Sequence, residues 1–119
     1  MNAPQEPGGR VTISPQVLTT IVRQAALSAE GVQSLAQRAP KRTRGPGRRA
    51  VAPGIEVTIL DGGVHVALRV NASPDANMFQ VAEALQKEVA YAIEHIIGMG
   101  VTGVDVTIDD VTFPIANQV

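Results

Sequence analysis

Residues 78–113, MFQVAEALQKEVAYAIEHIIGMGVTGVDVTIDDVTF, read as a long amphipathic helix, a glycine break and an alternating strand. With Met78 at the centre of one face, Val81, Ala82, Leu85, Val89, Ala92, Ile93 and Ile96 recur on that side at helical spacing. Gln80, Glu83, Lys87 and Glu94 fall opposite. Gly98 marks the helix end, because glycine takes the left-handed cap conformation at little cost. Beyond it, Val104, Val106 and Ile108 alternate with Asp105, Thr107 and Asp109, the period-2 pattern of a strand buried on one face. A stripe this wide needs a sheet to lie on, and the rest of the chain must supply it.

Upstream, Ile55, Val57 and Ile59 alternate with Glu56 and Thr58. Val64, Val66, Leu68 and Val70 alternate with His65, Ala67 and Arg69. Asp61-Gly62-Gly63 joins the two runs as a tight hairpin. Two registers keep the apolar faces together. Ile59 opposite Val64 leaves Asp61-Gly62 as the loop; Ile59 opposite Val66 leaves Gly62-Gly63 and sets Glu56 against Arg69. The reading leans to the first. Further back, Ser14-Pro15 predicts a helix start, serine capping and proline at the first helical position. That helix runs to about Ala29, with Leu18, Ile21, Val22, Ala25 and Ala29 on its apolar side. Asn77 and Gln80 have capping-box spacing before the second helix. Val11-Thr12-Ile13 reads as a short optional strand.

The expected fold is therefore α+β: a small, mostly antiparallel sheet with two helices packed on one face, in the order (β)-α-β-β-α-β. With the optional strand the order is ferredoxin-like. Glu56, His65, Arg69, Asp105 and Thr107 should be more exposed than Val57, Val66, Leu68 and Val106.

At 119 residues and 45% hydrophobic content the chain is one domain with a modest core. It has no cysteine, which excludes disulfides and thiolate metal sites. Residues 1–9, MNAPQEPGG, contain no apolar stretch of the secretory kind. No apolar run reaches the roughly 18 residues that span a bilayer. The division expected is a disordered tail over 1–10, a domain over 11–113 with a flexible loop at 37–53, and a second tail over 114–119. The net charge of −1 hides an asymmetry. Arg38, Lys41, Arg42, Arg44, Arg48 and Arg49 fall within that loop, leaving four bases against eleven acids elsewhere. A basic loop on an acidic body attracts polyanions, so these six are candidates for binding nucleic acid or anionic lipid.

The two histidines, His65 and His95, lie on a polar strand face and near a helix end, and read as solvated or structural rather than as converging metal ligands. Asp105 and Asp109 share a strand face but lie roughly 13 Å apart by strand rise, too far to chelate one ion together. Gly98-Met99-Gly100 follows a helix and precedes a strand, the wrong order for a phosphate cradle. Nothing in the sequence sets a nucleophile beside a base. The aromatic content is 3%, too little to stack bases on a sheet. No cofactor, metal or small-molecule substrate is expected. Tyr91 departs from the core stripe of its helix and projects toward the side that holds Ala84 and Lys87. Isolated exposed aromatics are common. The functional reading makes Tyr91, Ala84 and Lys87 a docking surface, since tyrosine is enriched at energetic centres of interfaces.

Several segments share a wording beyond pattern: Val11-Thr12-Ile13-Ser14 leading into Val17; Gly31-Val32 with Leu35; Gly54-Ile55-Glu56-Val57; Val64 to Val70; Val81-Ala82-Glu83 through Gln86 and Val89; and Gly98, Val101 and Val104 to Val106. In these the chain resembles the alkaline shock protein family of bacterial general-stress and envelope-stress proteins. The resemblance implies a non-catalytic, cytoplasmic interaction protein that self-associates and sits peripherally at the inner membrane face through a membrane-anchored partner. The alternative class is a nucleic-acid-binding module acting through the basic loop.

Overall fold

The computed structural model describes residues 8–40 and 45–113. Along the chain these form α1 (Pro15–Ser28), β1 (Val32–Leu35), β2 (Arg48–Ala52), β3 (Ile55–Leu60), β4 (Gly63–Ala72), α2 (Met78–Ala92), a π-helical turn (Ile93–Ile97) and β5 (Gly100–Val111). Both helix starts follow from their caps. The Ser14 hydroxyl accepts from the Gln16 amide at 3.2 Å, and the Asn77 side chain accepts from the Gln80 amide at 3.1 Å. Gly98 ends the second helical segment in the left-handed conformation, φ 85°.

β4 organises the sheet. β3 pairs antiparallel with its first part, Ile59 opposite Val64, and β1 pairs antiparallel with its last part, Leu35 opposite Val70. β5 runs parallel along the whole of β4, Val66 opposite Val104. It therefore occupies the other edge of β4. α2 is the crossover that two parallel strands require. β2 pairs antiparallel with β3, Ala52 opposite Ile55. The observed hairpin is the Asp61-Gly62 register. Both turn residues have positive φ, 53° and 77°, as a two-residue turn matched to strand twist demands.

Both helices lie on one face of the sheet. Leu18, Val22 and Ala26 of α1 and Val81, Leu85 and Val89 of α2 are fully buried with Ile55, Val57, Val64, Val66, Leu68 and Val70 of the sheet. Alternation puts His65, Arg69, Asp105 and Asp109 on the other, helix-free face.

The structure corrects several expectations. Val11–Ile13 is not a strand, so the leading β of the ferredoxin-like order is missing. Two strands stand where none was expected, at 32–35 and 48–52. The 37–53 segment is thus not a loop throughout. Ala36 and Pro40 are buried, the Gly54 amide donates to the Arg38 carbonyl at 3.0 Å, and Arg48–Ala52 is a strand. The Pro53-Gly54 pair closes a tight β2–β3 turn, with Gly54 at φ 75°. Glu56, expected on an exposed face, is 2% exposed. β3 is flanked on both sides, and Arg49 of β2 brings its Nε to 3.9 Å from the Glu56 carboxylate. Val106 is only half-buried, because β5 lies at the sheet margin. The tail expected over 114–119, and most of that expected over 1–10, lie outside the described residues.

Candidate interaction surface

The helical stripe of α2 changes course after Ala92. Gly98 N–H bonds to the Ile93 carbonyl five residues back at 3.0 Å, closing a π turn rather than an α turn. The wider turn absorbs one extra residue and rotates the side chains beyond it. Ile93 remains fully buried and Ile97 packs partly on the core. Ile96, expected on the core stripe, is turned out and is 67% exposed.

This places Ile96 beside Tyr91, which is 62% exposed, over an open groove of about 390 Å³ between α1 and α2. Ile21 and Ala25 form the α1 side, with Thr20, Gln24 and Ser28 at the rim; Ala92 and Glu88 complete the α2 side. Ile21 and Ala25, read from the sequence as core, are half-buried because they face this groove, while Ala26 takes the fully buried place. The Tyr91 ring is held in place. It stacks on His95 with centroids 3.9 Å apart and planes 21° apart, and His95 Nδ1 donates to the Tyr91 carbonyl at 3.0 Å. A stacked ring with one locked neighbour loses less freedom on binding than a free side chain.

Of the three residues proposed from the sequence as a docking surface, only Tyr91 lines the groove. Ala84 is half-buried and lines a separate depression near the start of α2, with Gly31, Ala76 and Asn77. Lys87 is exposed and is absent from the groove wall. The groove's other apolar members, Ile96 and Ile21, were missed because helical periodicity assigned both to the core. The short phrase Ile96-Ile97-Gly98 was the available signal, since two adjacent isoleucines cannot share one face of a helix.

The basic segment divides. Arg38 and Arg48 are exposed. Arg49 is half-buried, approaches Glu56, and donates from Nη1 to the Gly45 carbonyl at 3.0 Å. Lys41, Arg42 and Arg44 lie outside the described residues.

The helix-free face of the sheet carries paired polar side chains rather than a site of convergent ligands. His65 Nε2 lies 3.0 Å from Asp105 Oδ2, and Arg69 Nη2 donates to Asp109 Oδ1. Asn71 donates to the Ser34 hydroxyl at 3.1 Å. The two aspartates considered from the sequence for a cation each meet a basic side chain instead. Among the described residues no three histidine or carboxylate side chains gather as metal ligands, and no helix is long and apolar enough to cross a membrane.

Comparison with solved structures finds similarity to a mutant of MamM-CTD, at 12% sequence identity and a TM-score of 0.48, covering 87% of this chain and 92% of that chain. No curated protein matches the sequence. The model of one family matches residues 3–113, that is, the whole of β1–β5 with both helices, and agrees with the resemblance carried by the segments quoted above. The chain belongs to the alkaline shock protein 23 family, described as having a cell envelope-related function.

Proposed function

We propose that this chain is a non-catalytic interaction protein of the cell envelope, which docks a protein partner through the α1–α2 groove. The observation that carries the reading is the pairing of Tyr91 and Ile96, two large apolar side chains each more than three-fifths exposed, above a wall of Ile21 and Ala25. Such a patch loses nothing from the core when it is covered, and an aromatic with an aliphatic neighbour is the composition of an interface centre. The occupant that fits is an apolar row of side chains from one partner segment. The family's envelope-related description supports placing that partner at the membrane, with this chain cytoplasmic and peripheral to it.

The test is a paired measurement on Tyr91→Ala and Ile96→Asp in the native cell. Both variants should melt within a few degrees of the wild type, since neither side chain is core. Both should lower the membrane-associated fraction about fivefold or more, the scale of an interface contributor worth about 1 kcal/mol. Unchanged membrane association with unchanged melting would remove the groove from the function. A large fall in melting temperature would show that these side chains belong to the core.

A further inference from the structure

β5 is the longest strand of the sheet, and among the described residues only one of its edges pairs with another strand. It pairs with β4 along its length; among the described residues no strand pairs with its other side. There the Gln86 side chain of α2 donates to the Val104 carbonyl at 3.1 Å, a bond that an incoming strand must displace. Natural sheets guard such edges with proline, charged side chains, bulges or a covering segment. β5 contains neither proline nor lysine. Its acids Asp105 and Asp109 are turned to the helix-free face, where His65 and Arg69 meet them. Irregularities in pairing with β4 fall on either side of a regular window, Gly103–Ile108. Within that window Val106 and Ile108 point to the helix side yet are only half-buried, so the core is unfinished at this margin.

We propose that the free edge of β5 is a self-association surface that pairs antiparallel with β5 of a second copy, about a two-fold axis at Val106. The window is complementary to itself in that register. Val106 meets Val106 and Val104 meets Ile108, all on the helix side, so two incomplete margins cover each other. On the opposite side Asp105 meets Thr107, whose hydroxyl can donate to it; Asp109, just beyond the regular window, falls toward Gly103. No acid stands directly across from an acid. Moving the axis to Thr107 would set Asp105 against Asp109, which like charges disfavour. This surface is separate from the α1–α2 groove and does not depend on the partner assigned there.

The absence of cysteine makes the register directly testable. Directly opposed residues in an antiparallel pair have Cα atoms about 4.5–5.5 Å apart, inside the range a disulfide spans. The full chain carrying Val106→Cys should form a covalent dimer under mild oxidation, and the Val17→Cys control on α1 should not. In sedimentation, wild-type protein should dimerise, and Thr107→Glu should weaken dimerisation roughly tenfold or more by opposing Asp105 of the second copy at two symmetric places. Adding Asp105→Lys to Thr107→Glu should restore it. A monomeric wild type at high concentration overturns the proposal. So does a dimer that is insensitive to Thr107→Glu and gives no Val106→Cys cross-link. If that dimer is instead broken by Tyr91→Ala, the groove itself joins two copies, and a loss of membrane association without a change in dimerisation separates the two surfaces the other way.

Discussion

Replacing Leu68 with alanine should remove roughly 2–5 kcal/mol of folding stability. Leu68 is 1% exposed at the middle of β4, between Ile55 of β3 and Val106 of β5, beneath the helices. Truncation loses the transfer free energy of the removed carbons and leaves a cavity. Neighbours on two paired strands cannot collapse far enough to fill it. A domain of this size has about 5–15 kcal/mol in total, so the loss is a large fraction of it. Urea unfolding should show a lower midpoint at an unchanged slope, since the surface exposed on unfolding stays nearly the same. A change under about 1 kcal/mol, typical of surface substitutions, would mean that the buried and open faces of the sheet are exchanged.

Gly54→Ala should cost more than its small size suggests, roughly 2–4 kcal/mol. Gly54 has φ 75°, a conformation that any side chain with a Cβ resists. An added Cβ would also lie 2.8 Å from the Arg69 carbonyl, 3.0 Å from the Leu35 Cβ and 3.1 Å from the Ala36 amide nitrogen. The first and last are backbone and cannot swing aside. Gly54 also donates to Arg38 and accepts from the Arg69 amide, so β3, β4 and the segment after β1 meet at this residue. Gly62→Ala is the internal control. Its φ is 77°, but an added Cβ there has nothing within 4 Å. It should cost only the conformational part, about 1–2 kcal/mol. Melting and urea titration of both variants give the difference, which measures the close approach alone. Equal losses would show that the three-way junction at Gly54 is looser than its distances imply.

Much of the architecture was legible because it rests on local spacing. The α2 stripe, the alternation in β3, β4 and β5, the Ser14 and Asn77 caps and the Asp61-Gly62 turn each need only a few neighbouring residues to be recognised. β2 escaped because it lies in a basic run and its core-facing residues are alanines, Ala50 and Ala52, which carry little periodic contrast. The Pro53-Gly54 pair was the readable sign that a second hairpin precedes β3. β1 escaped because four residues are too few to show a period. Of the candidate surface, Tyr91 was found because it broke the stripe. Ile96 was not, because its spacing continues the stripe.

Residue order alone determined which residue types alternate, where helices begin, and to which family the pattern belongs. Periodicity, capping and turn chemistry act over a few residues and do not depend on what the chain packs against. Tertiary packing decided the rest. Glu56 is 2% exposed on the helix-free face, with Arg49 of the neighbouring strand alongside it, and an alternating pattern reports only the face, not its cover. Ile96 is exposed because the backbone closed a five-residue turn before Gly98, a choice between hydrogen-bond partners that the apolar pattern does not record. Among the described residues β5 pairs with a strand on one side only, because α2 carries it to the outer side of β4, and strand order is a property of the whole sheet.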